Sequence, residues 1–441
     1  MLFRSNVIKT GVLVKEGSKV KSWKKRWFVF RDNGMLEYYT DKKETDQKGV
    51  VDMNKATMFT KTEDKKRLML EILLDQKVFR LAFDSDTTRD EWIAAFQQFI
   101  DSKNKAENTV SEKPKLEDFE TLKLIGKGTY GKVMLVKKKD TGKVYAMKIL
   151  DKKAVIETNE VEHTMAEREV LGTIDNPFIV RMHYSFQNEN KLYFVMDFIN
   201  GGELFYHLQN ERRFSIARAK FYSAEILLAL EHLHKHGIIY RDLKPENVLL
   251  NADGNICLTD FGLSKTGMKE ADDKTGTFCG TAAYLAPEIL LGEKYNTAVD
   301  WWSFGILTYE MMVGIPPFYS EDEREMYQNI VNESVRYPPN TPSSIKTFID
   351  ALLEKDPKVR LTDPEVMKNH PFFQGIDFEK LYRKEVNPPY IPSVQSVDDV
   401  SNIDPTFLSE TELAIKEEKE VPQQGDSQFK FDGFTYVSKR E

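Results

Sequence analysis

"GKGTYGKV", residues 126–133, decides how this 441-residue chain is read. It sets Gly126, Gly128 and Gly131 in a loop just before Val133. Glycine admits close backbone approach, so such a loop suits a phosphate, yet three glycines alone are a weak signal. A dinucleotide-binding loop would open a helix. A Walker-type phosphate loop would also open a helix, and it needs Ser or Thr where Val133 stands. The next residues, "VMLVKKKDTGKVYAMKIL" (133–150), are instead two strand-like runs around the turn Asp140-Thr141-Gly142.

A glycine loop bridging two antiparallel strands fits the protein-kinase arrangement, and the other kinase motifs arrive in order. "AMK" places Lys148 on a strand, facing nucleotide phosphates. Glu167 in "HTMAEREVL" (163–171) lies on a helical stretch and can hold that lysine. "YRDLKPEN" (240–247) supplies Asp242 for the substrate hydroxyl's proton, Lys244 beside the transferred phosphoryl group and Asn247 for Mg2+. "DFG" supplies Asp260 for Mg2+, and "APE" closes the segment at Glu288. A scaffold descended from a kinase would lack one of these groups. With Lys148, Asp242, Asn247 and Asp260 all present, an active enzyme is expected.

Tyr240 replaces the more usual His ahead of "RD", "FCGT" (278–281) lies in the activation segment, and "FDGFTY" (431–436) closes the tail. On these residues the chain resembles the AGC kinases over 119–441. The resemblance implies an ATP site of Gly126, Lys127, Gly128, Gly131, Val133, Ala146, Lys148, Glu167, Met196, Asp197 and Ile199. It implies substrate-binding acids at Glu203 in "NGGELFYHL", Glu246 and Glu310 in "LTYEMM". Carboxylates take arginine in bidentate pairs, so the expected substrate is Ser or Thr in R-x-R-x-x-S/T. Internal ion pairing competes with that reading for any acid, and Glu288 is expected to pair with Arg360. One departure is "GTAAYLAPE" (280–288), where Ala282 and Ala283 replace the family's Pro and Glu, which predicts looser selection of basic residues.

The same resemblance marks Thr277 and Thr435 as phosphorylation sites served by upstream kinases. A phosphate at Thr277 would meet Arg241 and His163. Phe431 and Phe434 would enter a groove beside the Glu167 helix. Related tails carry a Thr-Pro or Ser-Pro site before this motif, whereas "LSETELAIKEEKEVP" (408–422) has neither dipeptide.

Residues 5–102 alternate like strands in "TGVLVK", "RWFVFRDNGMLEYY" (turning at Asn33-Gly34), "MLEILL" and "KVFRLAF". They end in "SDTTRDEWIAAFQQFI" (85–100), with Ser85 as N-cap and Trp92, Phe96 and Phe99 at helical spacing. This pattern predicts a small β-barrel or sandwich plugged by a helix. The net charge is −7, yet residues 1–102 hold 20 Lys+Arg against 16 Asp+Glu. Lys9 to Arg26 carries seven bases and one acid. The strand–basic loop–strand "VKEGSKVKSWKKRWFVF" (14–30) and the Trp92 helix resemble a pleckstrin homology (PH) domain. That resemblance implies phosphoinositide binding by Lys15, Lys24 and Arg26, with Lys19, Lys21 and Lys25 drawn to an anionic membrane. Trp23, Trp27 and Phe28 read as core and rim.

The resulting organisation is multidomain: a PH β-barrel with a C-terminal helix (5–102), a linker (103–118), a bilobal α+β kinase domain (119–373) and an AGC tail (374–441) too poor in apolar residues to fold alone. No apolar run reaches membrane-span length, and only Cys257 and Cys279 are present, read as inert thiols rather than a redox pair. A cytoplasmic monomer recruited to the plasma membrane is expected. The acidic remainder argues against nucleic acid as a partner.

Overall fold

The computed structural model describes residues 7–16, 22–53, 56–64, 67–74, 77–109, 114–128, 131–268, 275–277, 279–419 and 431–438. Lys19 and Lys21 lie outside them. The chain divides into two compact units, Met1–Glu112 and Lys113–Glu441.

The first unit is one antiparallel sheet of β1 (Val7–Glu16), β2 (Trp23–Arg31), β3 (Met35–Tyr39), β4 (Gln47–Asp52), β5 (Ala56–Asp64), β6 (Arg67–Leu74) and β7 (Lys77–Phe83), ordered β4-β3-β2-β1-β7-β6-β5. The β2–β3 hairpin turns where Asn33-Gly34 predicts, with Gly34 at φ 82° and its N–H donating to the Arg31 carbonyl. Helix α1 (Asp86–Thr109) starts at Ser85, whose hydroxyl accepts from the Thr88 N–H at 3.1 Å. Alternation along the strands sends Leu13, Phe28, Phe30, Leu70, Ile72 and Leu81 inward against Trp92 and Phe96 of α1. Each fully buried large apolar side chain is worth about 1.5–3 kcal/mol, so this plug closes the unit.

Helix α1 continues to Thr109, seven residues into the stretch read as linker. Apolar periodicity stops at Ile100, and "DSKNKAENT" (101–109) offers only polar residues and one alanine, so hydrophobic spacing could not reveal this extension.

In the second unit, the small lobe pairs β8 (Phe119–Gly128), β9 (Gly131–Lys138), β10 (Val144–Asp151), β11 (Met182–Gln187) and β12 (Lys191–Asp197) with helices α2 (Lys152–Glu157) and α3 (Val161–Thr173). The β8–β9 hairpin carries the glycine loop. A Cβ on Gly131 would sit 1.8 Å from the Ile149 carbonyl oxygen, so only glycine lets β9 pass β10 here.

The large lobe is helical: α4 (Leu204–Glu211), α5 (Ile216–Lys235), α6 (Pro287–Leu290), α7 (Ala298–Val313), α8 (Glu323–Asn332), α9 (Ser343–Leu352), α10 (Pro364–Lys368) and α11 (Phe378–Tyr382). A hairpin of β13 (Val248–Leu250) and β14 (Ile256–Leu258) carries the catalytic loop's exit and the strand before "DFG". α7 is hydrophobic nearly all round and buried along its length, as a central core helix must be.

The tail does not fold apart. Helices α12 (Pro405–Ser409) and α13 (Thr411–Lys419) and strand β15 (Tyr436–Val437) return to the small lobe, giving the order β15-β11-β12-β10-β9-β8.

Candidate active site

Lys148 and Glu167 meet at 2.7 Å, and the same ammonium lies 3.3 Å from an Asp260 oxygen. Burial disfavours the charge on Lys148, but the Asp260 and Glu167 carboxylates outweigh it and raise its pKa. Lys148 in turn holds the Asp260 pKa below its ordinary value. Burial raises that of Glu167, with Lys148 opposing. Asp260 adopts φ 54°, a left-handed conformation rare outside glycine and held here by its surroundings.

The adenine-facing candidates occupy neighbouring strands. Val133 pairs with Lys148 across β9–β10, and Ala146 pairs with Met196 across β10–β12. Met196 and Ile199 are half-buried against the core. The Asp197 carboxylate bonds His183 at 2.7 Å, and its N–H donates to the Arg181 carbonyl at 3.0 Å.

Beneath them, the catalytic loop is a closed hydrogen-bond set. Asp242 accepts from Asn247 Nδ2 at 2.8 Å and from Lys244 Nζ at 3.0 Å. Thr281 donates to the other Asp242 oxygen at 3.2 Å and accepts from Lys244 at 3.0 Å. Burial raises the Asp242 pKa, with Lys244 opposing. Thr281 escaped the sequence reading, although it sits in "FCGT". So did Asp300 of α7, whose buried carboxylate accepts from the backbone N–H groups of Tyr240 (2.9 Å) and Arg241 (2.8 Å) and pairs with His234 (2.7 Å). Only the fold brings Asp300 under a loop some sixty residues earlier.

For Mg2+, among the described residues no cluster of three or more His, Cys, Asp or Glu is set to hold a metal ion. Asn247 uses its amide nitrogen for its contacts with Asp242, so its carbonyl oxygen and the Asp260 carboxylate are the hard donors available. Two oxygen donors plus phosphate oxygens fit Mg2+, which rarely takes an all-protein cage.

The three predicted acids come together but not alike. Glu203 is exposed, and its pKa is raised by desolvation and then by Glu246 and Asp404. Glu246 keeps one buried oxygen with no hydrogen-bond partner among the described residues. Glu310 is buried beside the Tyr284 hydroxyl, and desolvation, aided by Glu246, raises its pKa to about 7. Asp404, on the tail, is a fourth acid that spacing gave no means of finding. Glu288 and Arg360 form the expected buried pair, with contacts at 2.7 and 2.8 Å.

Thr277 is exposed, and its carbonyl accepts from Tyr295 Oη at 2.7 Å. Arg241 Nη1 bonds that hydroxyl at 3.2 Å, while buried Nη2 has no partner among the described residues. His163 is engaged by Glu160 at 2.7 Å. Cys257 and Cys279 are both free thiols.

In the first unit, Lys15 pairs with Lys24 and Leu13 with Arg26 across β1–β2. The three bases therefore continue, at the strand ends, the face that holds Leu13 in the core. Lys15 packs 4.8 Å from the Tyr38 ring centre, and burial with Arg26 and Lys24 lowers its pKa. Phe28 is core and Trp27 half-buried.

The protein kinase domain family matches residues 119–373, the PH domain family 7–101 and the protein kinase C terminal domain family 394–436. The chain belongs to the protein kinase family, as a PH-domain-bearing serine/threonine kinase of AGC type. Its full length is similar to a RAC family serine/threonine-protein kinase homolog of Dictyostelium discoideum, 48% identical over 436 residues and covering 98% of this chain and 97% of that one. That agrees with its resemblance to Akt (protein kinase B). The kinase gad8 of Schizosaccharomyces pombe is 52% identical over 297 residues, covering 67% of this chain and 52% of that protein. YPK1 of Saccharomyces cerevisiae is 49% identical over 328 residues, covering 74% of this chain and 48% of that protein. Among the described residues no helix is long and apolar enough to cross a membrane.

Proposed function

We propose that this kinase transfers the γ-phosphoryl group of ATP to Ser or Thr in R-x-R-x-x-S/T sequences, and that phosphoinositides recruit it from the cytoplasm to the plasma membrane. The observation that carries the substrate class is the incompletely neutralised acid group Glu203, Glu246, Glu310 and Asp404. Desolvation and neighbouring acids raise the pKa of Glu203 and of Glu310, and Glu246 between them keeps one unpaired buried oxygen, so this group gains from a guanidinium.

In this reading the glycine loop covers the phosphates and Lys148, fixed by Glu167, contacts them. Asn247 and Asp260 hold Mg2+, which supplies charge neutralisation at the phosphates when bound. Asp242 accepts the substrate hydroxyl's proton. Lys244, tied to both Asp242 and Thr281, offsets charge developing on the transferred group. Phosphate on Thr277 engages the unpartnered Arg241 Nη2 and orders the segment. Phosphate on Thr435 draws on Arg168, which already bonds that residue's carbonyl.

Lys15, Lys24 and Arg26 bind the inositol phosphates. Burial, and then the charges of Arg26 and Lys24, lower the Lys15 pKa, so a polyanion beside these bases favours its charged form. One assay tests the reading: phosphorylation of an R-x-R-x-x-S peptide and of Arg→Ala peptides, with and without phosphoinositide vesicles. Arg→Ala peptides phosphorylated at equal kcat/KM would reject the substrate class. Equal sedimentation with all anionic vesicles, unchanged by Arg26→Ala, would reject the lipid site.

A further inference from the structure

Helix α5 ends in "EHLHKHG" (231–237), and two of the three histidines there have no part in the catalytic set. The chain has seven histidines, all among the described residues. Five of them bond other residue types. His163 engages Glu160, His183 engages Asp197, His207 the Gly201 carbonyl, His234 engages Asp300, and His370 accepts from the Phe372 N–H. His232 and His236 instead pack ring to ring, with centres 4.4 Å apart and planes tilted by 39°.

The two stand at i and i+4, with His236 as the C-cap of α5. On one helix face that spacing lets paired histidines hold Zn2+. His236 Nδ1 lies 2.8 Å from the His232 carbonyl oxygen. A carbonyl can only accept, so Nδ1 carries the proton and Nε2 keeps its lone pair, the tautomer that metal-binding histidines adopt. His232 Nε2 is buried and has no hydrogen-bond partner among the described residues. Leaving such an atom unpaired costs stability, and a bound cation would remove that cost. Burial and then His236 lower the His232 pKa, with Lys235 adding to them and Asp175 and Glu231 opposing. The ring is therefore neutral near pH 7, as a metal ligand must be. The carbonyl end of the α5 dipole also favours a cation at this point.

We propose that His232 and His236 form a binding site for a borderline divalent transition-metal ion such as Zn2+, held through Nε2 of each ring with water completing its shell. Imidazole nitrogens without a carboxylate cage select Zn2+ or Cu2+ over Mg2+ and Ca2+. The site shares no residue with the Mg2+ donors Asn247 and Asp260. It staples the last turn of α5 to its cap, just before the chain enters the catalytic loop at Tyr240.

The test uses the full chain stripped with a chelator, without nucleotide, and Zn2+ alone or Cu2+ alone as the probe. A Cys279→Ser background removes the half-buried thiol as a rival ligand. Competition with a metallochromic indicator should show one Zn2+ per chain, tighter Cu2+ and no Mg2+. His236→Gln, at an exposed position, and His232→Gln should each weaken both metals at least about tenfold, the loss seen even for groups that only support a ligand. Zn2+ should raise the melting temperature of the parent protein and of neither variant. Affinity should fall as pH drops through the histidine range, because protons compete for the same nitrogens. In the Cu2+ form, EPR should show hyperfine coupling to two imidazole nitrogens, reduced in each variant. If His232→Gln lowers the metal-free melting temperature, the exposed His236→Gln still decides the matter. Unchanged affinity in His236→Gln would overturn the site. So would absence of Zn2+ and Cu2+ uptake by the parent protein, which would make the pair a packing contact only.

Discussion

Arg168 Nε donates to the Phe434 carbonyl oxygen at 3.2 Å, and its guanidinium lies 5.4 Å from the Tyr436 ring centre. Arg168 comes directly after Glu167 on α3, so one helix grips the tail on one side and Lys148 on the other. Phe434 is fully buried, edge-on to Phe194 at 5.0 Å, and its carbonyl also accepts from Ser185 at 2.6 Å. Gln187 and Lys152 hold Phe431 in the same way from β11 and α2.

Phe434→Ala should therefore loosen α3 without touching a reacting atom. A buried Phe→Ala change removes about 3–5 kcal/mol of packing, part of which the tail loses by undocking. We expect kcat to fall at least about tenfold, or ~1.4 kcal/mol, with vesicle binding unchanged. A wild-type kcat would show that docking of Phe434 does not support α3 during turnover.

Peptide recognition should depend on pH through Glu310. Its folded pKa is raised from 4.5 to about 7, so ionising it destabilises the empty fold as pH rises through that window, while arginine binding requires the ionised form. KM for the Arg peptide should fall by up to about tenfold between about pH 6 and about pH 8 and then level off. Glu310→Gln should give a higher KM that is flat over that range.

Arg360→Ala should be strongly destabilising. Truncating one partner of a buried pair strands the other charge, here Glu288, at a cost of about 3–5 kcal/mol. The denaturation midpoint of the kinase unit should drop accordingly. A shift below about 1 kcal/mol would mean that Glu288 is neutralised or hydrated in the variant.

Thr277→Ala should hold the enzyme at its basal rate, whereas phosphorylation of the wild type adds about −1.5 to −2 charges opposite Arg241. Comparing kcat of stoichiometrically phosphorylated and phosphatase-treated protein checks this. A Tyr295→Phe variant should need more upstream kinase for the same gain, because Tyr295 Oη links Thr277 to Arg241.

The parts of the fold that the sequence revealed are those with local chemistry. The Asn33-Gly34 hairpin, the Ser85 cap, the β8–β9 hairpin and the Trp92 plug each arise from turn residues or periodicity within one segment. The catalytic loop and "DFG" were legible because phosphate chemistry fixes residue types at short spacing. What escaped depends on tertiary approach. Asp300, Thr281 and Asp404 act on residues far along the chain, and no spacing rule links them. The α1 extension escaped for the opposite reason, since a stretch of polar residues carries no apolar period.

Strand β15 has a consequence for how the enzyme is made. Tyr184 and Ser185 of β11 wait for Val437 and Tyr436, and the His183 carbonyl waits for the Ser438 N–H at 2.8 Å. Chains emerge from the ribosome at about 5–20 residues per second and their domains fold in that order. The small-lobe sheet therefore gains its last strand only once residues 436–438 have left the tunnel, after the large lobe has been synthesised. A nascent or truncated chain can carry every catalytic residue and still lack the edge that seats α3, so completeness of translation becomes a condition for full activity.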